Sequence, residues 1–427
     1  MTKGRVNTIT AYFSRMSLWV ESGAIGIPVI SSLMVYFILL PRHIINELLG
    51  IPLYDSELAR LLCALFLLWG VSRRLPLFDS VMSGWPLIPL IIICVAVSWS
   101  TRSNVSLIFL VETAFGIFVA TEYNPQQQFK VYAIILGSIM VMSLAIILFI
   151  PEVGITSGNS IEDIKHFGTW RGVLWHKNTL ASVAGLSSVF FLYRLLQAET
   201  FSILWAILSS LSVLLLWQAQ SVTALLATVI TLSCMAVLLR QRLPVFLRYL
   251  LLSLGIAIPV LITFLIFYPT ITGTVPVWMI KDPSMSSRIL IWHEAISYGL
   301  DHSHALFGYG LTFWNEEGGR EISQRLGFNP FVASNGFVDA FLSVGFVGLG
   351  ILLFALLRDF IRVGKKAIQG SGNDFEKWVM LFLVYLLVEN SGDSFLLLPH
   401  EIFWIFWVSL SFSKQLNLNS IPAGTRL

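Results

Sequence analysis

Runs of apolar residues long enough to cross a bilayer recur along the chain, and this feature most limits its possible folds. A membrane-spanning helix needs about 20 mostly apolar residues, and fewer suffice where flanking side chains can snorkel. Only 12% of the residues are charged, against about 25% in typical soluble proteins. The sequence predicts an all-α polytopic integral membrane protein with about 12 transmembrane helices and a large, partly helical extracytoplasmic loop. The predicted spans are 24–41, 58–72, 80–99, 105–121, 130–150, 179–196, 201–217, 222–239, 247–268, 337–357, 378–390 and 396–413.

The positions of Lys and Arg predict which connections face the cytoplasm. With an even number of spans and the N-terminus inside, most of the 27 Lys and Arg residues fall on the inside. The connections 72–79, 240–248 and 358–377 contribute most of them. The two longest connections, 151–178 and 269–336, then lie outside although they carry cations, because long loops cross the membrane largely regardless of charge.

This topology divides the chain into four regions. Helices 1–5 lie in 1–150, and the first extracytoplasmic loop, 151–178, precedes helices 6–9 in 151–268. Residues 269–336 form the large extracytoplasmic loop, and 337–427 hold helices 10–12 and a cytoplasmic tail. The N-terminal segment lacks the short apolar core and small-residue cleavage site of a signal peptide, so a retained cytoplasmic tail is expected.

Charge and cysteine usage argue against several classes of partner and cofactor. The net charge of +3 is too small to indicate a nucleic-acid partner. The three cysteines lie inside apolar runs without paired spacing and are predicted to be small buried side chains. His293, His302 and His304 follow no established zinc-ligand spacing. We expect no metal and no cofactor.

A cluster of charged residues in the first outside loop directly precedes the helix predicted at Thr179. The stretch WRGVLWHKN fits an interface anchor, with Trp in the headgroup region and Arg and Lys snorkelling. It equally fits an anion site, with Asn178 as the helix N-cap and the positive helix end favouring negative charge. Arg171 and Lys177 would then add donors suited to phosphate oxygens. Both interpretations remain open at this point.

The second outside loop is predicted to contain a helix within SSRILIWHEAISYGL, with Ser286 or Ser287 as its N-cap. Its apolar residues recur at helical spacing, which indicates a membrane-surface or loop-packing helix: Ile289, Trp292, Ala295 and Ile296. Arg288 alone would be an ordinary solvated or snorkelling residue, but together with Arg171 it indicates a shared anionic ligand. A glycine-punctuated turn, FGYG, follows.

Polar residues also flank two helix junctions that the topology places outside. Acidic groups at membrane depth are costly and usually functional, although a short loop at the interface explains them nearly as well. The two groups are Gln218, Gln220, Ser221 and Thr223, and Glu389, Asn390, Asp393 and Ser394.

Over about residues 160–412, four blocks in order resemble the O-antigen polymerase and O-antigen ligase superfamily, especially its exopolysaccharide-polymerase branch. TWRGVLWHKNTLA resembles the family's Arg-Gly-x-x-x-His-Lys-Asn block before a helix. QSVTALLA stands where relatives often have Ser-Arg-Thr, with Val222 in place of Arg. KDPSMSSRILIWHEAI and LFGYGLTFW resemble the family's Arg, following Trp and Gly-x-Gly turn. SNGFVDAFLSVGFVGLG resembles the ligases' His-Asn block, followed by Gly.

The resemblance implies a lipid-linked substrate. Family members transfer glycan from an undecaprenyl-diphosphate donor to a glycan acceptor at the outer face of the bacterial inner membrane. By position, Arg171 and Arg288 are implied as catalytic contacts to the diphosphate, with Lys177 supporting them. Further substrate-binding positions are His176, Asn178, Trp292, Tyr309 and Asn335. A polysaccharide chain-length regulator is a candidate partner besides the lipid bilayer.

One departure from the family concerns the proton acceptor. The ligases have His at the start of the fourth block, whereas this chain has Ser334. A serine cannot take the acceptor hydroxyl's proton near neutral pH without another base. His293 and Asp339 are the substitutes we consider.

Three functions remain open from the sequence. The leading one is a polymerase that joins lipid-linked repeat units, and the second is a ligase that moves finished glycan to a lipid A core or another acceptor. The third is a transporter of lipid-linked oligosaccharide or small anions. A transporter is expected to have broken helices or charges near the bilayer midplane. The concentration of charge in outside loops therefore favours enzymatic chemistry at the membrane surface.

Overall fold

The computed structural model describes residues 83–101, 103–157, 166–200, 202–240, 243–250, 252–253, 257, 261, 283–301, 304–369, 372–399 and 401–413. Within these ranges the chain is helical and forms no strand, apart from one isolated bridge between Ile155 and Trp170. The predicted spans 24–41 and 58–72 lie outside the described residues, as does most of 247–268.

Eleven helices of ten or more residues follow one another in the described ranges. They are α1 (Leu87–Thr101), α2 (Ser103–Glu122), α3 (Pro125–Phe149), α4 (Lys177–Gln197), α5 (Ile203–Ala219), α6 (Val222–Leu239), α7 (Pro283–Asp301), α8 (Glu317–Leu326), α9 (Gly336–Gln369), α10 (Asp374–Asn390) and α11 (Ile402–Ser411). A single helical turn, Pro151–Gly154, follows α3, and a 3-10 turn, Phe313–Asn315, precedes α8.

Nine predicted spans overlap helices α1 to α6 and α9 to α11. Among the described residues, five helices are long and apolar enough to cross a membrane: those at Val105–Glu122, Pro125–Phe149, Lys177–Gln197, Val222–Leu239 and Gly336–Gln369. Shorter apolar helices lie at Leu87–Trp99, Ile203–Ala219 and Ile402–Ser411. The all-α architecture is confirmed for the described residues, whereas the total of 12 spans stays a prediction.

Helix α4 lies at the centre of the array and packs against α5, α6 and α10. Its sequence is rich in Ala, Ser and Gly, which lets neighbouring helices approach closely in a membrane. A side chain at Gly185 would overlap Tyr385 and Thr228. The Tyr385 hydroxyl donates to the Ser182 carbonyl across 2.8 Å. The close approach of α4, α6 and α10 therefore brings their polar ends together at one end of the array.

Helix α9 is broken at Gly345, whose φ of 66° and ψ of −170° are not helical. The turn at 305–310 pairs with the backbone groups exposed by the break. Phe346 N–H donates to the Ala305 carbonyl at 2.9 Å, and Tyr309 N–H donates to the Leu342 carbonyl at 2.8 Å. Backbone groups opened inside a membrane helix must find such partners, because unsatisfied groups cost several kcal/mol there. The break separates a short first segment, Gly336 to Val344, from the rest of α9.

A buried polar network fixes the opposite end of the array, where α1 begins and α11 ends. Arg362 donates from NH1 to the Ser411 carbonyl at 2.9 Å and from NH2 to Ser83 Oγ at 2.7 Å. Asp359 accepts the Trp407 indole N–H at 3.1 Å and a hydrogen bond from the Ser411 hydroxyl. Part of the connection predicted over 358–377 is therefore the helical end of α9, with its Arg side chains bound to neighbouring helices.

Helix α7 packs on α9 and α8 packs on α7, and the three helices contribute to a second apolar core. Trp292, Ala295 and Ile296 are buried in it, and Ile289 packs against it. The prediction of a loop-packing helix is thus confirmed. Its predicted N-cap at Ser286 or Ser287 is wrong, because α7 begins at Pro283, the favoured type of residue in a first helical turn.

Candidate functional site

The first sequence block forms the entry to α4. Gly172 has a φ of 60°, and a side chain there would press against Ser143 of α3, so the position requires glycine. His176 is the N-cap of α4, and its Nδ1 accepts the Asn178 N–H at 3.1 Å. The predicted N-cap role of Asn178 is therefore wrong, since the helix begins one residue before it.

Capping by His176 leaves the next two side chains free to point towards the junction of α5, α6 and α10. Lys177 is buried, and its Nζ donates to the Gln220 carbonyl at 3.1 Å. That carbonyl is presented by the left-handed backbone of Gln220, whose φ is 52°. The Asn178 side chain lies within hydrogen-bonding reach of the Asp393 carboxylate.

Arg288 enters the same junction from α7. Its NH1 donates to the Gly392 carbonyl at 2.7 Å and lies 3.5 Å from Thr223 Oγ1 at the start of α6. Arg288 and Lys177 are close enough to repel each other electrostatically. Cations from the two long connections therefore converge at one place.

Two buried carboxyl groups from the end of α10 face these cations. Glu389 is fully buried, accepts the Ser182 hydroxyl at Oε1 and has no hydrogen-bond partner at Oε2 among the described residues. Asp393 lies in the loop after α10, and its Oδ2 likewise lacks a partner in the part of the chain described. Burial raises the pKa of Asp393, and the Arg288 guanidinium opposes that rise. We call Lys177, Arg288, Glu389 and Asp393 the junction site.

The fourth block forms the start of α9 next to this site. Asn335 is fully buried and caps α9, because its Oδ1 accepts the Phe337 N–H at 3.0 Å while its Nδ2 donates to the Ser391 carbonyl at 3.2 Å. Asp339 accepts the Trp314 indole N–H at 2.6 Å and the Ala333 N–H at 3.1 Å. Both side chains thus hold the fold around the junction site.

The remaining predicted residues of the second loop lie in or beside the apolar core of α7 to α9. Trp292 is buried, and its indole N–H donates to the Ala333 carbonyl at 2.7 Å. His293 has no partner for Nδ1 among the described residues. Tyr309 lies between two glycines with positive φ, as the predicted Gly-x-Gly turn requires, and burial raises its pKa to about 12.

Arg171 is bound to the single helical turn that follows α3. Its Nε donates to the Val153 carbonyl at 2.7 Å, and its backbone N–H donates to the Gly154 carbonyl at 2.9 Å. Trp170 N–H, one residue earlier, reaches the Gln218 carbonyl at 3.3 Å, near the end of α5. The first-block cation for which an electrostatic interaction with Arg288 is observed is Lys177.

The sequence predicts that charge is concentrated in outside loops, whereas the structure also contains a buried acidic group inside a membrane-length helix. Glu112, inside the membrane-length helix α2, is fully buried, and α9 is a broken helix. The distribution of charge thus does not separate an enzyme from a transporter. Among the described residues, no group of three or more His, Cys, Asp and Glu side chains is placed to hold a metal ion.

The sequence pairs Arg171 with Arg288 and gives Lys177 a supporting place, whereas in the structure Lys177 interacts electrostatically with Arg288. Glu389 and Asp393 were left out of the predicted site. The sequence shows these two carboxyl groups between two apolar segments. A short loop at the membrane interface accounts for that pattern equally well. Only the packing of α4, α7 and α10 reveals that these carboxyl groups are buried beside cations.

The apolar helices and the buried charged site at one end of their array define an integral membrane protein. Residues 205–353, from α5 into α9, match the family model described as O-antigen ligase. This match confirms the resemblance to the O-antigen polymerase and ligase superfamily. It includes Gln220, Arg288 and Asp339, while the first block and the end of α10 lie outside it. No curated protein gives a significant match.

Proposed function

We propose that the protein is a membrane glycosyltransferase that polymerises undecaprenyl-diphosphate-linked oligosaccharide repeat units into a cell-surface polysaccharide. The reaction takes place at the outer face of the inner membrane and needs no metal ion. The loops that carry the junction site are extracytoplasmic in this proposal. A chain-length regulator is a proposed partner.

The convergence of Lys177 and Arg288 is the observation that carries this proposal. Both come from the predicted long connections between membrane helices, and both donate to backbone carbonyls beside the buried carboxyl groups of Glu389 and Asp393. A polyprenyl diphosphate leaves the sugar with negative charge on its phosphate oxygens. Fixed cations in a partly dehydrated site stabilise that charge as it develops, because they need no reorganisation during the reaction. The planar Arg guanidinium also suits paired phosphate oxygens.

Two observations bear on the choice between polymerase and ligase. Ser334 stands at the position of the ligases' His, which favours a polymerase. The family model that matches residues 205–353 carries the description O-antigen ligase, which favours transfer of finished glycan to lipid A core or another acceptor. A third candidate, a transporter of lipid-linked glycan, is favoured by the break at Gly345 and the buried Glu389.

One reconstitution experiment tests the proposal. The purified protein is placed in liposomes with lipid-linked repeat units, which are extracted from a strain that lacks the gene for this protein. The released undecaprenyl diphosphate is then measured. Release with repeat units alone, accompanied by longer glycan, is the expected result. Arg288→Ala should lower the rate about 100- to 1,000-fold, as removal of one charge-stabilising donor does. Arg325→Ala, a change of an exposed arginine paired with Glu321, is the matched control and should retain activity.

Other outcomes identify the other candidates. Release that requires an added lipid A core acceptor would make the protein a ligase. Movement of the donor between leaflets without release would make it a transporter. Normal release by Arg288→Ala would refute the assignment of the diphosphate to the junction site.

A further inference from the structure

The transfer reaction releases a proton from the acceptor hydroxyl, and the described part of the chain offers few groups that can take it. Asp339 is occupied, because its carboxylate accepts hydrogen bonds from Trp314 and from the Ala333 backbone. His293 lies five residues after Arg288 on α7, which is about 140° around a helix. It therefore projects away from the side of α7 that carries Arg288.

Asp393 has the position and the free atom that this role requires. Its backbone carbonyl accepts the Gly336 N–H at 3.0 Å, which places Asp393 beside the start of α9. Gly336 follows Ser334 by two residues in the chain. Its side chain is only 6% exposed, and Oδ1 accepts the Ser394 N–H at 2.9 Å. The Asn178 side chain lies within reach of the carboxylate, but Oδ2 accepts no hydrogen bond from the described residues. Arg288 lies beside Asp393, because it donates to the neighbouring Gly392 carbonyl.

We propose that Asp393 is the general base that takes the proton from the acceptor hydroxyl, an inference that rests on the proposed glycosyltransferase function. The hydroxyl oxygen forms a bond to the anomeric carbon of the donor sugar. The bond from that carbon to the diphosphate oxygen breaks, and the electron pair leaves with the polyprenyl diphosphate. The hydroxyl proton passes to Asp393 Oδ2 and then to water. No oxidant, reductant or metal enters the balance.

The surroundings of Asp393 determine the pH dependence that this role predicts. Charged or titratable groups face it from every neighbouring element: Lys177 on α4, Arg288 on α7, Asp339 on α9, Glu389 on α10, and Glu401 before α11. Burial raises the pKa of Asp393, while the two cations oppose the rise. Because a base works only when deprotonated, turnover should fall as the pH is lowered through this raised pKa.

The test compares turnover with binding of undecaprenyl diphosphate in the same purified variants. Asp393→Asn should lower release of undecaprenyl diphosphate from the donor about 100- to 10,000-fold, as loss of a general base does. The variant should bind undecaprenyl diphosphate as well as or better than wild type, because a negative charge beside the phosphate-binding cations is removed. Asp393→Glu keeps a carboxylate on a longer side chain and should retain partial turnover. The pH below which its turnover falls should differ from that of wild type. Asp374→Asn, at the half-exposed start of α10, is the control and should behave as wild type.

The outcomes separate this inference from the proposed function. Wild-type turnover in Asp393→Asn would refute the base while leaving the glycosyltransferase function intact. Loss of undecaprenyl diphosphate binding in that variant would also refute it, because Asp393 would then be a binding or structural residue. Unchanged binding in Arg288→Ala would instead count against the proposed diphosphate site.

Discussion

Non-glycine residues with positive φ are few in the described ranges, and each lies in a loop at the junction-site end of the array. They are Gln220, Ser334 and Leu397, with φ between 52° and 57°. Gln220 directs its carbonyl to Lys177, and Ser334 precedes the cap of α9. Such backbone strain tends to persist where the surrounding structure holds a functional geometry. The conformations of Gln220 and Ser334 therefore fit a site that requires its backbone hydrogen-bond donors and acceptors in fixed positions.

Substitutions at Ser334 test this local geometry. A β-branched residue is poorly tolerated in the left-handed region, so Ser334→Val should destabilise the protein by about 1–2 kcal/mol. Ser334→Gly should be neutral or stabilising in the folded state, because glycine adopts positive φ without a steric cost. Thermal unfolding of the purified variants in detergent measures both effects. Equal unfolding temperatures for the Val and Gly variants would show that residue 334 has an ordinary backbone conformation in solution.

At the scale of elements, helix positions were predictable because membrane thickness imposes their length. The span predicted at 222–239 coincides with α6, and 179–196 differs from α4 by only a few residues. Helix α9 was harder, because GFVGLG looks like a continuous apolar run and hides the break at Gly345. The extension of α9 past residue 357 was also missed, because Arg362 was assigned to a loop and its contacts with α11 cannot be recognised from the sequence.

The candidate site was predictable only in part, because it depends on how distant helices pack. Motif order pointed to Arg171, Lys177, Asn178 and Arg288, and of these Lys177 interacts electrostatically with Arg288. Burial decides the role of Asp393, and burial depends on how α4, α7 and α10 pack. No local pattern in the sequence encodes that packing. The N-cap of α4 was misassigned because Asn is a favoured capping residue, whereas His176 Nδ1 performs the capping here.

The break in α9 gives a prediction at the element scale. Gly345→Ala would force a side chain into a region of backbone conformation reached essentially by glycine alone, and its Cβ would overlap the backbone of Leu306 and Phe307. We expect destabilisation by at least about 1–3 kcal/mol from the backbone strain alone. Gly350→Ala, five residues later in the same helix and without neighbours near its Cβ, should stabilise the helix by about 1 kcal/mol or be neutral.

The amount of each variant in the membrane fraction and its unfolding temperature are the measurements. A Gly345→Ala protein as stable as Gly350→Ala would mean that α9 is continuous in the membrane, and the pairing of the 305–310 turn with the break would have to be abandoned.

At the scale of the whole molecule, the four sequence blocks come from distant parts of the chain but meet at one end of the helix array. Contacts between Lys177 and Gln220, between Arg288 and Gly392, and between Gly336 and Asp393 establish this meeting. The network of Arg362 and Asp359 holds the other end. A rigid array of this kind can hold a charged head group at one end while the prenyl chain of the same molecule lies in lipid.

The central claim is that the junction site binds a polyprenyl diphosphate, and direct binding of undecaprenyl diphosphate to the purified protein tests it. Loss of one charged hydrogen-bonding group costs about 1.5–3 kcal/mol, so Arg288→Ala and Lys177→Met should each weaken binding about 10- to 150-fold. Arg288→Lys should fall between Ala and wild type, because it keeps the charge but loses the planar fork. Arg325→Ala should bind as wild type does. If Arg288→Ala, Lys177→Met and Arg288→Lys all bind undecaprenyl diphosphate with the affinity of wild type and of Arg325→Ala, the junction site is not the diphosphate site.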